Sequence, residues 1–419
     1  MNECPTGCVF GSHDHAAHRE LEAASREHLA TPPPGIFTSS SPAYKREEIP
    51  VPDLIARYGN SSATAWLDSH RYKIWRPSQP IPESEFTPVQ GYIQKDPFIF
   101  AWGNPLVSSP RALEKTARAF IAFAEASHLH PIWSCVDHDL ETVLAGFALG
   151  WVTVSCIFEE VMDPAHVLDL ANSEHAADVI GDLAKNLHSA EIEHVEVDEV
   201  KKGGWNEKDR EGVEKGIKEW KAHKHGMELK TMTLNPWTDE PHRRYWVAKR
   251  HHKVLGVAIL SQTSPMSWQI VNCLTFRHAA HGTSETLVYT ALKDLYTERE
   301  EHIRTATPAS PVVEPRTDAR SPDSEENAPE AQLNRTTNRL SVTFGIAASD
   351  HLEPGHNLSG WKVNVLSKTY HAVSGVMSLN HTVEFTKEFG TEREPMYVCY
   401  PANGFGFMAI GALIIALRK

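Results

Sequence analysis

No run in this sequence reaches the roughly 20 apolar residues that a bilayer-spanning helix needs, and no N-terminal stretch has signal-peptide character. The expected location is therefore cytoplasmic, with peripheral contact on intracellular membranes as the other possibility. The longest apolar run, Phe405–Leu417, is short and reads as a buried helix or strand, or as a segment lying on a bilayer surface. Cysteine is scarce: six residues, at positions 4, 8, 135, 156, 273 and 399. Most lie in apolar, strand-like runs and read as reduced, buried thiols. Cys4, Cys8, His13, His15 and His18 match no standard zinc spacing, so no metal is expected. Positive charge is also in deficit, with 41 Lys and Arg against 54 Asp and Glu and a net charge of -13. That excludes a generally basic nucleic-acid binder but not a local basic patch. Large apolar residues are nearly missing from 298–338, which reads as an inserted disordered loop, and residues 1–48 lack periodicity and read as a mobile arm.

What remains is long enough for about two domains. A helix around Leu54, Ile55 and Tyr58 precedes strands at 71–76, 89–94 and 97–102. Ser109-Pro110 opens a helix with an apolar stripe at Leu113, Ala117, Phe120, Ile121 and Ala124. After a strand at 131–136, Asp137 caps a second helix with Leu140, Val143, Leu144 and Phe147 on one face, which Gly150 stops. The strand 151–158 ends at Glu159-Glu160, and a helical stretch covers about 171–189. Lys201-Lys202-Gly203-Gly204 reads as a joint, followed by a lysine-bearing helix over 207–225. Strands at 245–249, 254–260 and 269–274 are close enough for an antiparallel meander. The turn Arg277–Glu285 leads into a helix whose core face is Leu287, Val288, Ala291, Leu292 and Leu295. A strand follows at 340–346. Near the end, a helix with Val383, Phe385 and Phe389 stops at Gly390, a polar turn covers Thr391 to Glu394, and a strand runs from Pro395 to Tyr400.

Helix, three-strand meander, turn and helix is the order of the N-acetyltransferase superfamily, which the second half resembles. The fold class expected is α/β: tandem N-acetyltransferase-like (GNAT) domains with mixed, mostly antiparallel sheets flanked by helices. Their expected spans are 49–200 and 201–419, the second carrying the insertion 298–338. The phosphate-binding loop of that superfamily is only partly matched. Arg277 and Gly282 fit, but Ala280 stands where the first glycine belongs. Taken in order, FIFAWGNPL (98–106), WVTVSCIFEEVMD (151–163), the 171–189 helix, the 269–288 region and VEFTKEFGTEREPMYV (383–398) resemble the catalytic domain of the aminoacyl-tRNA-dependent lipid aminoacyltransferases. This family includes the lysyl- and alanyl-phosphatidylglycerol synthases. The insertion and the absence of a membrane-embedded half make the resemblance strongest to the free-standing fungal branch, which esterifies ergosterol.

The resemblance implies transfer of an amino acid, glycine in that branch, from tRNA to the 3β-hydroxyl of ergosterol. It implies no cofactor beyond the charged tRNA, which a separate aminoacyl-tRNA synthetase supplies. By position, Glu159 and Glu160 match the family's paired acids, and Lys387 and Arg393 its basic residues. Glu159 or Glu160 would bind the substrate ammonium or take the proton, and Lys387 and Arg393 would hold an oxyanion or the terminal phosphate. Asn272 and Thr275 replace the charged pair of the bacterial enzymes, leaving Asn272 to hydrogen-bond substrate; His281, Glu285 and Tyr397 are further substrate-binding candidates. For the tRNA, the candidates are Arg243, Arg244, Lys249, Arg250 and Lys253, extended by the lysines of the 207–225 helix. Three rival readings stay open: a phosphatidylglycerol-modifying enzyme, an acyl-CoA-dependent N-acetyltransferase, and a non-catalytic lipid- or tRNA-binding module.

Overall fold

Alternating apolar residues build the strands, and one of these strands decides where the chemistry sits. The computed structural model describes residues 48–172, 181–223, 235–306, 339–358 and 385–402. The arm at 1–47, the cysteine–histidine cluster in it, residues 307–338 and the apolar run at 405–417 lie outside the described residues. The helices are α1 (Val51–Tyr58), α2 (Ser61–Thr64), α3 (Leu113–Ala126), α4 (His138–Ala145), α5 (Pro164–Asn172), α6 (Gly181–Ile192), α7 (Glu207–His223) and α8 (Thr283–Ala306). The strands are β1 (Lys73–Trp75), β2 (Gln90–Lys95), β3 (Phe98–Trp102), β4 (His130–Val136), β5 (Val152–Met162), β6 (Glu196–Val200), β7 (Arg243–Arg250), β8 (Lys253–Ser264), β9 (Ser267–Thr275), β10 (Ser341–Pro354) and β11 (Glu392–Tyr400).

All eleven strands form one sheet in the order β1-β2-β3-β4-β11-β5-β10-β9-β8-β7-β6. Neighbours are antiparallel except β3 with β4 and β9 with β10. Each parallel pair is joined by a helix, α3 in one case and α8 in the other, as a parallel connection requires. The motif of antiparallel strands, helix and parallel strand thus occurs twice, which is the duplicated α/β arrangement the sequence led us to expect. Two strands cross the expected boundary at 200/201. β6 precedes it yet pairs with β7, and β11, from near the chain's end, lies between β4 and β5.

Helices cover both faces, and apolar periodicity explains which. Ala117, Phe120 and Ala124 of α3 pack with Trp133, Leu140 and Leu144. Leu287, Val288, Ala291, Leu292 and Leu295 of α8 pack with Trp246, Ala258 and Leu260. Val213 and Ile217 of α7 meet Tyr245, Val247, Val257 and Ile259, residues of alternate parity and so of the opposite face. Each large apolar side chain so buried contributes about 1.5–3 kcal/mol. Among the described residues no helix is long and apolar enough to cross a membrane.

Several boundaries differ from the sequence expectation. The α4 helix stops at Ala145 with Gly146 as its cap, so Phe147 does not join the apolar face and is fully exposed. The expected helix over 171–189 appears as α5, starting earlier at Pro164, and α6, with 173–180 outside the described residues. The insertion does not begin at 298: α8 continues to Ala306, its charged run forming a solvated helical end. β5 runs four residues past Phe158, and β11 begins at Glu392 rather than Pro395.

Candidate active site

Because β5 continues to Met162, Glu159 and Glu160 do not sit at a strand end. They lie inside a central strand paired on both sides. Glu159 is opposite Glu394 of β11 and Ile346 of β10; Glu160 is opposite Arg393 and Gly345. Consecutive strand residues point to opposite faces, so the two carboxylates serve different surroundings.

Glu160 is 2% exposed, and its Oε1 has no hydrogen-bond partner. Its counter-charge is Arg393, whose Nε lies 3.9 Å away and whose guanidinium stands 4.2 Å over the Phe158 ring. Arg393 therefore belongs to the strand and not to the preceding turn.

Glu159 faces a second acidic group. Burial pushes its carboxyl above the usual range; the hydroxyls of Ser61 and Thr343 oppose that, while Glu394 and Asp137 add to it. Glu394 is itself pushed up, by burial first and then by Glu392, with Asp137 adding and Arg339 opposing. Three carboxylates thus share one partly dry region: Asp137 at the head of α4, Glu159 of β5 and Glu394 of β11. Such a region favours an incoming cation with N–H donors.

The frame around it is polar and constrained. Ser62 Oγ donates to the Cys135 carbonyl (2.9 Å), and Cys135 holds a left-handed φ of 61°, uncommon for a non-glycine residue. Thr343 Oγ1 donates to the Glu160 carbonyl (2.9 Å) and accepts from the Gly345 amide (2.8 Å). Thr64 Oγ1 donates to Gln269 Oε1 at 2.5 Å, tying α2 to β9. Asp137 caps α4 by accepting from the Leu140 amide at 3.0 Å. Asp137→Ala should lower the unfolding free energy by about 1 kcal/mol, measured by chemical denaturation, in addition to weakening the acidic region.

The other expected site residues are dispersed. Lys387 is exposed on the helical turn at 385–387, held by Phe385 and Phe389, whose rings each lie 5.7 Å from that of Phe344. Among the described residues no hydrogen bond or ion pair joins it to Glu159, Glu160 or Arg393. Asn272 is buried in β9 opposite Ile259. Tyr397 is half-buried in β11, its ring 6.3 Å from that of His138. Burial first, then Glu141, raises its hydroxyl above the ordinary value.

His281 is exposed at the turn before α8. Glu285 is buried at that helix's first turn, where it accepts from Ser284 Oγ (2.9 Å) and from Asn186 Nδ2 of α6 (3.2 Å). The same Asn186 amide reaches Glu388 at 3.2 Å. Gly282, with φ 81°, packs so closely on α6 that an added Cβ would lie 1.8 Å from the Asn186 carbonyl oxygen. Two carboxylates and a backbone carbonyl therefore crowd the α8 N-terminus, an end that would otherwise favour an anion.

The basic strip is mostly paired. Arg244 reaches Glu199 (2.6 Å) and Glu298 (2.7 Å), Lys249 reaches Asp209 (2.5 Å), and Arg250 reaches Glu193 (2.6 Å). Arg243 donates to the carbonyls of Asn235 and Pro236. These contacts fasten β7 to its surroundings. Lys253 is exposed. The sequence reading missed Asp137 as a site residue, having taken it for a cap, and missed Glu394, having placed it in a turn. Ser61 and Thr343 carry no sequence signal of their own.

No family model matches the sequence, and no curated protein matches it. Solved structures do share its fold. The C-terminal domain of a putative lysylphosphatidylglycerol synthetase from Agrobacterium fabrum aligns with a TM-score of 0.58 and 13% identity, over 87% of this chain and 92% of that one. L-PGS from Bacillus licheniformis aligns with a TM-score of 0.59 and 10% identity, over 87% of this chain and 94% of that one. The fold class is thus the α/β architecture of these domains, over nearly their whole length.

Proposed function

We propose that this protein is an aminoacyl-tRNA-dependent transferase that moves an amino acid onto the hydroxyl of a membrane lipid. The observation that carries the reading is the three-carboxylate region at Asp137, Glu159 and Glu394. An aminoacyl ester always brings an α-ammonium group, and this region, in the centre of a sheet shared with lysylphosphatidylglycerol synthetase domains, suits one. The reaction exchanges ester for ester, so holding two reactants in register supplies much of the catalysis. Glu159 and its two neighbours hold the ammonium. Arg393, which shares the face of Glu160 and not that of Glu159, is assigned to an RNA phosphate rather than to the oxyanion. Lys387, exposed and with no hydrogen bond or ion pair to these residues among those described, is a further cation for the RNA end. Lys253 and the exposed Lys208, Lys215 and Lys218 of α7 take RNA phosphates in place of the ion-paired strip. The acceptor we assign is the 3β-hydroxyl of ergosterol and the amino acid glycine, on the sequence resemblance.

Phosphatidylglycerol is the competing acceptor, favoured by the names of the two fold neighbours. Acyl-CoA is disfavoured by the carboxylates at the α8 N-terminus. The deciding assay mixes the protein with tRNA, a synthetase, one labelled amino acid and liposomes containing either ergosterol or phosphatidylglycerol. Label should enter the ergosterol liposomes, with glycine as donor, and should vanish with RNase. Label in phosphatidylglycerol instead would transfer the reading to that acceptor, and no lipid label with any amino acid would overturn it.

A further inference from the structure

Glu141 of α4 has a more elaborate setting than a structural role needs. Its side chain is fully buried, at 0% exposure. Oε1 accepts from Thr153 Oγ1 at 2.5 Å and faces His356 Nδ1 at 2.6 Å. His356 is tied down in turn, its amide donating to Thr153 Oγ1 (2.7 Å), while Asn357 donates to the carbonyls of Ala145 (2.9 Å) and Trp151 (2.8 Å). Oε2, by contrast, has no hydrogen-bond partner and lies 3.7 Å from His138 Nδ1. Leaving a buried carboxylate oxygen unpaired is costly. One half of this carboxylate is locked by two partners and the other half is aimed at an imidazole.

His138 is on the solvent side of that contact, 70% exposed, and follows Asp137 directly. The titratable groups facing it are Asp137 and Glu141 of its own helix, Tyr397 of β11 and, through Glu141, His356 of the segment after β10. It is next in sequence to one of the three carboxylates assigned to the ammonium, and it has a positioned carboxylate behind it.

We propose that His138 is the general base of the transfer, with Glu141 as its positioning residue and His356 and Thr153 holding Glu141; this rests on the transfer reading above. A small rotation of His138 lets Nδ1–H donate to Glu141 Oε2. That fixes the tautomer and leaves Nε2 unprotonated on the accessible side of the ring. Catalytic hydrogen bonds commonly close to full length only when substrate is bound. Nε2 takes the proton of the acceptor hydroxyl as its oxygen bonds to the ester carbonyl carbon. The tetrahedral intermediate then breaks its bond to the ribose oxygen, and the imidazolium returns the proton to that leaving oxygen. Glu141 stabilises the transient positive charge on the imidazole.

Because His138 is exposed, His138→Ala should fold normally. Its single-turnover transfer rate should fall by about 100-fold or more, with donor affinity unchanged. The acid limb of the wild-type pH–rate profile should be missing, and added imidazole should restore part of the rate. A rate within about twofold of wild type, or an unchanged acid limb, would overturn the proposal. A second measurement does not depend on transfer. Diethyl pyrocarbonate labelling of His138, mapped by mass spectrometry, should be several-fold slower in Glu141→Gln than in wild type, and equal rates would overturn the dyad. Absence of any transfer by wild-type protein would sink the functional reading alone, and the labelling experiment would then decide the dyad.

Discussion

Glu159→Gln should abolish lipid labelling and at the same time raise the melting temperature. The two effects have one cause. Burial pushes the Glu159 carboxyl above its ordinary value, and the charges of Glu394 and Asp137 add to this. A carboxyl whose folded-state value lies above its unfolded value, about 4.3 for Glu, opposes folding when ionised. Its stabilising share is fully present below the unfolded value and is lost as pH rises through the folded value. At neutral pH the protein thus carries an unfavourable charge. Gln keeps the shape without the charge. Removing the charge should raise Tm by about 1–3 °C, and the gain in wild-type stability on mild acidification should be smaller in the variant. What the substitution takes from the substrate ammonium is a charge-assisted hydrogen bond, about 1.5–3 kcal/mol, or roughly 10- to 150-fold in transfer; poor placement of the ester adds to that. Differential scanning calorimetry at pH 5 and 7, with the liposome assay alongside, reads both. A variant that melts lower and still labels lipid would show Glu159 to be a structural residue.

Why Glu159 could be singled out from sequence, and yet misplaced, follows from what local patterns record. Asp137 was legible as a cap, since its residue type and position before an apolar-periodic run suffice. The end of β5 was not, because two glutamates after Phe158 read as a solvated stop. What buries them is β11 and β10, contributed by residues roughly two hundred positions further on, and no local pattern carries that pairing. The same reason applies to the basic strip. Arg244, Lys249 and Arg250 read as free cations because Glu199, Asp209 and Glu193 are 40 or more positions away. Phe147 was assigned to a helix face by spacing, but Gly146 breaks the helix one residue earlier. β6, Glu-Val-Asp-Glu-Val, carries three acidic residues in five and so has little apolar signal of its own; its pairing with β7 makes it the far edge of the sheet. The duplicated helix-crossover pattern was readable because it depends on order and periodicity, which are local. The meeting of Asp137, Glu159 and Glu394 was not, because it depends on β11 returning from near the chain's end to pair with β5 beside the start of α4.

The largest loss of stability should come from Gly282→Ala, and it bears directly on what the α8 N-terminus does. Two penalties combine there. Gly282 has φ 81°, a conformation that costs an L-residue about 1–2 kcal/mol. Its added Cβ would also lie 1.8 Å from the Asn186 carbonyl oxygen, a backbone atom that no side-chain rotation can clear. Helix α6 would have to move by more than an ångström, and with it Asn186, the amide bridging Glu285 and Glu388. Releasing that amide leaves the buried Glu285 and the half-buried Glu388 without their shared donor. Glu388 is already pushed up by burial and by Glu285, with Asn186 opposing the rise. The total should exceed about 3 kcal/mol, at the upper end for single substitutions, and should show as a fall in the denaturant midpoint with the slope unchanged. The control is Ala280→Gly, which restores the glycine of an acyl-CoA loop at the neighbouring position. If the carboxylates and α6 close this helix end, acetyl-CoA should raise the melting temperature of neither wild type nor Ala280→Gly. A clear upward shift with acetyl-CoA, together with a Gly282→Ala protein as stable as wild type, would mean that α6 yields easily and that the helix end is an anion site after all.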